Sequence, residues 1–525
     1  MLLDLKTNMV EYKILITTSG LGTRLGELTE HTNKCLVRID DKPVISHIIE
    51  SYPKNSKFVI SLGYHGLHVK DFLNLAYPDY DFNFINVDNY KGFGSSLGYS
   101  ILQCKNELNC PFIFHASDTI IKDFTIPSLE NNWVIGSTKE DNSQYRTLNI
   151  SKNNLIKINE KGEIGFDFSY VGICAIKNFN LFFDELEKLI KSNYGDVCDT
   201  HVINQMLNNV DFECIKLNGE NWFDVGNSSE LIKTRKILRS DIDVLDKKDE
   251  SVFLFKDFVI KFFADEKINE NRVKRTFYLN GLVPKIIDYR KNFYKYERVE
   301  GNLFSKSITD KKFENFLSWS KKNLWLNNDN HNDNDFKKKC YEFYIEKTKK
   351  RISKYVKQYG DECLINGENI PSIYDLLNLL EFKSDWLCDG IPTNFHGDFI
   401  IDNVIESNNG YFLIDWRQDF AGDLVYGDLY YDLSKLYHNL TINHDIVNKN
   451  LFNSSSDNCY ILINSTLNDC KKILESFIKR NGYDLKKVQL LTCIIWLNMS
   501  PLHDYPFNKF LFNYGKFNLY KNLIF

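Results

Sequence analysis

Compact apolar runs recur through the first part of the chain, separated by stretches with helical spacing. Lys13–Thr17 (KILIT), Phe58–Leu62 (FVISL), Phe82–Val87 and Pro111–His115 (PFIFH) read as strands, and Val44–Ser51, His68–Asn74 and Ser95–Gln103 read as the helices between them. Short apolar runs bounded by turn residues suit strands buried on both faces. Their alternation with helices predicts an α/β fold, a doubly wound, mostly parallel, Rossmann-like sheet. Such sheets bind ligands beyond the carboxyl ends of their strands. The alternation fades after Trp222–Gly226. A helix is expected over Ser228–Arg239, and the charged stretch Asp241–Glu250 (DIDVLDKKDE) marks a boundary between a domain at 10–240 and another at 250–525. Strands return at Val252–Phe255 and Phe258–Phe263, a helix-rich region follows from Lys311 to Leu380, and Asn394–Asp415 reads as short strands and loops. From Asp428 onward the pattern is mainly helical, so the second domain is expected to be α+β. The aromatic tail Phe507–Phe525 is broken by Asn, Lys and Gly and reads as a docked terminal segment.

Composition narrows the classes. The chain has 525 residues, 26% of them charged, and a formal net charge of -5, which leaves no broad basic footprint for nucleic acid or an anionic membrane. Any phosphate must therefore be held by local cations, which suits small-molecule substrates. The 12 cysteines are scattered singly with no C-x-x-C pair, so a cytoplasmic protein with reduced thiols is expected. No apolar run approaches the ~20 residues of a membrane span. A homo-oligomer is compatible with the sequence, which carries no sign of one.

The first strand runs into Thr18-Ser19-Gly20-Leu21-Gly22-Thr23-Arg24-Leu25. A glycine-rich turn after a strand lets backbone N–H groups approach phosphate oxygens. Arg24 and Lys34 can face the same polyphosphate, one as a planar fork and one as a point charge. The dinucleotide spacing G-x-G-x-x-G is not met, because Gly20, Gly22 and Gly26 give G-x-G-x-x-x-G.

The stretch SGLGTRLGELTEHTNKCLVRIDDKPVISHIIE resembles the signature of the sugar-phosphate nucleotidyltransferases, and is similar to that of phosphocholine cytidylyltransferases. It departs at Asn33, where that family usually has Pro, and at Thr18-Ser19. The resemblance continues through His115–Asp118, Asn159-Glu160-Lys161, Tyr170-Val171-Gly172 and Trp222–Gly226, covering about 10–240. It implies Mg²⁺ held by Asp118 and Asp224. Arg24 would stabilise the leaving pyrophosphate, and Lys34 and Lys161 would neutralise the α-phosphate and the attacking phosphate. Gly20, Gly22, Thr23, Ser95 and Ser96 would face the nucleotide, Glu160 and Gly172 the acceptor. Both reactants are anionic, so such a site needs cations rather than a general base.

In the second domain Asn394–Asn403 contains H-G-D-x-x-x-x-N, followed by Leu413-Ile414-Asp415-Trp416. This resembles the aminoglycoside phosphotransferase and choline kinase family, relatives of protein kinases, and implies a bilobal kinase-like fold. Asp398 would orient the substrate hydroxyl and take its proton, Asn403 and Asp415 would hold Mg²⁺ on ATP, and His396 would hold the loop. Lys261 stands where the α/β-phosphates are bound, and Tyr294–Gly301 resembles the hinge strand, with Asn280–Ile287 before it. Glu270 is the candidate partner of Lys261, at an unusual spacing, and no glycine-rich lid precedes Lys261. Asp428 and Asp432 are expected to be structural. Arg417 follows Trp416 where many choline kinases carry an acidic residue; near the acceptor it would disfavour a quaternary ammonium and favour an anionic or polyhydroxy substrate. The two resemblances together imply a bifunctional enzyme. A kinase would phosphorylate a choline-, ethanolamine- or polyol-like alcohol with ATP. A transferase would then couple that phosphate to CTP for decoration of a surface glycan or lipid. Alternatives are a sugar kinase paired with a UTP-, dTTP- or GTP-using pyrophosphorylase, or a chain in which one domain is a regulatory module.

Overall fold

The structure is a computed structural model, and it describes residues 11–139, 143–192, 195–239, 248–327, 332–455 and 457–524. Most of the charged stretch Asp241–Glu250 lies outside the described residues. Contacts divide the chain into two compact units, one of residues 1–266 with 288–295, the other of residues 267–287 with 296–525.

The first unit is built on a nine-stranded sheet. In chain order its strands are β1 (Lys13–Thr17), β2 (Lys57–Leu62), β3 (Asp81–Asn86), β4 (Phe112–Ala116), β5 (Trp133–Ser137), β6 (Thr147–Ser151), β7 (Asn154–Asn159), β8 (Phe168–Ile176) and β9 (Glu213–Leu217), in the spatial order β3-β2-β1-β4-β8-β5-β9-β7-β6. The half formed by β3, β2, β1 and β4 is parallel throughout. Successive side chains of β1 enter opposite cores: Ile14 and Ile16 join Phe58 and Ile60 on one face, and Leu15 joins Val59, Phe112 and Phe114 on the other. Period-2 alternation between two covered faces is why these strands read as unbroken apolar runs. The other half is mixed. The long strand β8 runs antiparallel to β4 and β5, and its register against β5 shifts between Tyr170 and Cys174, around Gly172 at φ 87°. A Cβ on Gly172 would also lie 3.1 Å from Ala116 Cβ, so glycine meets both a backbone and a packing demand there.

The first unit reaches past 240–250 to Glu266 because the strands that follow, β10 (Glu250–Leu254) and β11 (Phe258–Phe263), pack on α1 (Gly66–Ala76). Phe72 of α1 meets Phe253 edge-on at 5.2 Å and also contacts Phe255 and Phe293, and Lys295 Nζ donates to Leu75 O at 2.8 Å. Each buried aromatic of this kind contributes about 1.5–3 kcal/mol, so the hairpin is anchored to α1 rather than tethered by a linker.

The second unit is α+β. Helix α2 (Glu266–Arg275) leads into it, the hairpin Val404–Ser407/Gly410–Leu413 follows the H-G-D loop, and α3 (Leu429–Asn439), α4 (Leu485–Met499) and α5 (Phe507–Ile524) pack together. The aromatic tail is thus a docked helix, with Phe507, Phe510 and Phe512 buried. Among the described residues no helix is long and apolar enough to cross a membrane.

Candidate active sites

In the first unit the glycine-rich loop leaves β1 at its carboxyl end. Gly22 adopts φ 68°, and a Cβ there would stand 2.9 Å from Lys34 Cβ, so glycine lets Lys34 close onto the loop. Gly20 lies beside open space and Thr23 begins a short helical turn. Asn33, the departure from proline, is fully buried; its Nδ2 donates to Thr18 O (2.7 Å) and Tyr64 O (2.6 Å), and its Oδ1 accepts from Cys35 N. It ties the loop to the turn carrying Lys34.

Asp118 and Asp224 come together because Trp222–Asp224 pairs antiparallel with Thr119–Ile121 and Val225 N donates to Asp118 O at 2.9 Å. A Cβ on Gly226 would lie 3.1 Å from Asp224 Oδ1, 3.2 Å from Asp118 Oδ2 and 3.6 Å from Arg24 Nη2. Lys34 Nζ binds Asp118 Oδ2 at 2.9 Å. Burial pushes the Asp118 carboxyl up, but Lys34 and Arg24 overcome it and hold it below the ordinary range. Asp224 is raised by burial and then by the Asp118 charge, against bonds from Gly226 N (2.7 Å) and Tyr145 OH (2.7 Å). Two carboxylates facing one point, one of them driven up by the other, fit a divalent cation with oxygen ligands. Lys161 is exposed; partial desolvation, Arg24 and Arg146 hold its ammonium below the usual value. Glu160 is bound by Arg146 (3.0 Å) and His201 (2.8 Å), which places its charge on neighbouring side chains. Ser95 Oγ bonds Gly92 O (2.7 Å), and Ser96 caps the helix Leu97–Gln103 through Tyr99 N (3.0 Å), so both hydroxyls serve the loop. Sequence reasoning missed Tyr145 and Lys139, whose ammonium lies 4.2 Å over the Trp222 ring. Tyr145 OH donates to Asp224 Oδ2 and in turn accepts from Lys139 Nζ at 3.2 Å, but neither residue stands in a motif.

In the second unit the H-G-D loop is held from beneath by α3. Asp432 is fully buried and accepts from His396 N (2.8 Å), Gly397 N (2.7 Å) and Trp325 Nε1 (3.2 Å). Burial lifts its pKa to about 6, against those bonds. His396 is buried, and burial lowers it to about 4, so it is neutral; Nε2 donates to Ile414 O (3.0 Å) and Nδ1 accepts from Asp398 N (3.3 Å). Asp428 accepts from Tyr344 OH, Ile391 N and Tyr430 N. Asn403 Nδ2 bonds Asp398 O (2.9 Å) and Oδ2 (3.2 Å), and Ile414 N reaches Asn403 O (2.9 Å), drawing Asp415 toward the loop. Asn403 and Asp415 carry oxygen donors of the kind Mg²⁺ takes.

Two features differ from expectation. Glu270 is solvent-exposed and pairs with Lys267 (2.9 Å) and Lys274 on its own helix, so its charge is already committed there. Instead α2 grips the site with arginines. Arg272 Nη1 binds Asp415 Oδ1 at 2.9 Å, and the buried Arg275 donates to the carbonyls of Phe395, His396, Arg417 and Leu424 while stacking on the Phe395 ring at 3.8 Å. Lys435, one turn after Asp432 on α3, binds Asp398 Oδ1 at 2.6 Å. Lys261 is buried on β11. The segments Asn280–Ile286 and Glu297–Glu300 line an open cleft of about 790 Å³ with the turn Ser407–Asn409. None of Asp398, Asn403, Asp415 and Lys261 lines it.

The first unit is a mixed sheet whose parallel half carries a glycine-rich loop beside two aspartates, and the second is an α+β unit around an H-G-D loop. Residues 348–451 match the model of the phosphotransferase enzyme family. The N-terminal part is similar to the bifunctional protein GlmU of Methanococcus vannielii, 25% identical over 238 residues, 43% of this chain and 55% of that protein. The chain thus spans about half the length of the first curated relatives it matches. It is also similar to choline-phosphate cytidylyltransferase of Streptococcus pneumoniae, 21% identical over 44% of this chain and 99% of that protein. Among solved structures, CTP:phosphocholine cytidylyltransferase from the same organism aligns over 44% of this chain and all of that one, with a TM-score of 0.38 and 21% identity.

Proposed function

We propose that the chain builds a nucleotide-linked small alcohol in two steps, phosphorylating the alcohol with ATP in its C-terminal part and coupling the phosphate to CTP in its N-terminal part, with release of pyrophosphate. The observation that carries the reading is the pair of assembled constellations on one polypeptide: Asp118, Asp224, Arg24 and Lys34 around Gly226, and Asp398 with Asn403 on a loop held by Asp432. CTP is favoured by the similarity to a choline-phosphate cytidylyltransferase. The product would serve decoration of a surface glycan or lipid.

In the first step Asp398 orients the hydroxyl and takes its proton. The alcohol oxygen bonds to the γ-phosphorus, and the bond to the β–γ bridging oxygen breaks, its electron pair leaving with ADP. In the second, Lys34 and Lys161 neutralise the α-phosphate and the attacking phosphate, while Arg24 takes up charge on pyrophosphate as it leaves. Gly20, Gly22 and Thr23 leave the loop N–H groups open to the triphosphate. Asp118 and Asp224 in one site and Asn403 and Asp415 in the other would hold Mg²⁺, which would supply electrostatic stabilisation of the transferring phosphorus group. The fused arrangement raises the local concentration of the phosphorylated intermediate.

The test uses the full chain with single substitutions. Asp224→Ala is expected to abolish pyrophosphate release and spare ADP formation; Asp398→Asn is expected to do the reverse. Retained pyrophosphate release in Asp224→Ala would remove the metal assignment, and loss of both activities in either variant would mean the two sites do not act independently.

A further inference from the structure

One cluster of charge in the second unit has no part in the chemistry just described. The helix that begins at Asp333 and ends at Tyr359 contains a π-turn over Glu342–Glu346. Such insertions re-aim side chains and mark functional positions. Immediately after it, Lys347 and Arg351 fall at i and i+4, on one face. Lys347 Nζ lies 3.8 Å over the Phe343 ring, and Arg417 Cζ lies 4.9 Å over the same ring. Arg417 crosses the loop next to Asp398: its Cβ and Cδ would stand 2.6 and 3.0 Å from a Cβ on Gly397, and its N donates to His396 O at 2.9 Å. Arg417 Nε is used on Asp419 O (3.0 Å) and Arg351 Nη1 on Asn498 O (3.2 Å). Among the described residues, none of Lys347, Arg351 and Arg417 has a carboxylate within ion-pair distance. Desolvation holds Lys347 well below its usual value, and Arg417, Arg351 and Lys435 lower it further; Arg351 is lowered by burial and then by Arg417. Half-buried like charges opposed only by the Asp419 carboxylate, which raises Lys347 without reaching ion-pair distance, are costly in the empty protein, and a bound anion removes that cost.

The buried rings beside these cations lead to the same class of ligand by exclusion. Phe343 stacks on Phe420 at 4.4 Å and meets Tyr431 edge-on at 4.9 Å. A box of this kind could hold a quaternary ammonium by cation–π attraction. Here the Phe343 ring is already shared by two of the protein's own cations, so a trimethylammonium would meet repulsion.

We propose that the alcohol accepted by the kinase site carries an acid group, a carboxylate or a phosphate monoester, seated by Lys347, Arg351 and Arg417 with its hydroxyl presented to Asp398. This rests on the kinase reading above and narrows its substrate to hydroxy acids and polyol phosphates, away from choline and ethanolamine. The transfer is the one already balanced: hydroxyl proton to Asp398, new O–P bond, ADP as leaving group. Arg417 and Lys347 bind the acceptor and do not enter the chemistry.

The experiment follows ATP-dependent phosphorylation by the full chain over matched acceptors: glycerol, D-glycerate and glycerol 3-phosphate; sorbitol, gluconate and sorbitol 6-phosphate; choline and ethanolamine. The acid-bearing member of a set is expected to exceed its neutral parent in kcat/KM by about a hundredfold or more, because the neutral compound leaves buried cations unpaired. The carboxylate and phosphate arms identify which anion is used. Lys347→Met is expected to raise the acceptor KM about tenfold or more and leave the KM for ATP unchanged. Preference for choline, ethanolamine or a neutral polyol overturns the inference and leaves the kinase standing, as does a Lys347→Met effect confined to ATP. A second readout needs no turnover. Inorganic phosphate is expected to raise the melting temperature of the wild-type chain more than that of Lys347→Met, and equal shifts would overturn the anion site. Absence of ATP binding and of transfer to every acceptor would sink the kinase reading, while the phosphate shift still decides the site.

Discussion

Replacing Arg275 by Met removes a single side chain that binds four carbonyls of the kinase loops. Arg275 is 1% exposed and donates to Phe395, His396, Arg417 and Leu424. Methionine fills much of the volume but donates nothing. His396 O keeps its bond from Arg417 N, so at about 1–1.5 kcal/mol for each of the other three carbonyls, and about 0.5–1 kcal/mol for the lost stacking on Phe395, the cost is about 4–5 kcal/mol. Desolvation of the guanidinium, which pulls its pKa down to about 9, offsets part of this. A net loss of about 3–5 kcal/mol remains, the usual result of removing one member of a buried charged network. That is a large share of the ~5–15 kcal/mol that holds a domain folded. Urea unfolding of the full chain is the assay, with ADP formation measured on folded protein. The transition of the C-terminal unit is expected at lower urea. Kinase kcat should fall about a hundredfold, since displacing a catalytic loop by about 1 Å is enough. Arg275→Lys keeps the charge but not the fork, and should recover less than half of either loss. A Met variant within about 1 kcal/mol of wild type with full kinase activity would refute the reasoning.

Other outcomes follow from the same geometry. Asn33→Ala should cost about 2–4 kcal/mol and slow pyrophosphate release, because the carbonyls of Thr18 and Tyr64 lose their donor; calorimetry of the full chain would measure it. Asp224 is raised by burial and Asp118, so its ionised form opposes folding: its cost is absent below the unfolded pKa and grows as pH rises through the folded one. Asp224→Asn should therefore gain stability relative to wild type as pH rises toward neutral and lose that gain in acid, a pH series of melting temperatures being the check. Lys435→Met, which strips Asp398 of the cation at 2.6 Å, should lower kinase kcat about tenfold or more and leave pyrophosphate release untouched.

Much of this was legible in the sequence, where one residue's neighbours in the chain carry the signal. The parallel half of the sheet could be read because β1, β2 and β4 are buried on both faces and appear as apolar runs. Strands such as β6 (TLNIS) and β7 (NLIKIN) alternate weakly and lie at the sheet edge, so they gave no clear run and the mixed half went unread. The Gly-rich, H-G-D and W-F-D-V-G segments are local and placed their residues together in space. What failed was long-range. Arg272 and Arg275 stand in a stretch whose composition suggests a solvated helix, and only the fold buries them against residues more than a hundred positions away. Glu270 is the sequence's candidate partner for Lys261, but helical spacing gives it Lys267 and Lys274 first. Lys435 had one available clue, its position a helical turn after Asp432. Lys347 and Arg351 had none, since a π-turn resets the face they present. The charged stretch at 241–250 marked a change of composition, whereas packing of Phe253 and Phe255 on α1 carries the first unit to Glu266.

The claim that both sites act in sequence on one metabolite can be measured with ATP labelled in its γ-phosphate. The full chain is given this ATP, CTP, Mg²⁺ and an acid-bearing alcohol, and the products are treated with a phosphatase that cleaves only monoesters. The account predicts that label becomes phosphatase-resistant, held in the diphosphate bridge between alcohol and nucleoside, only when both triphosphates are present, and that Asp224→Ala leaves it phosphatase-sensitive. Label transferred to the alcohol that stays phosphatase-sensitive with every nucleoside triphosphate tested would contradict it.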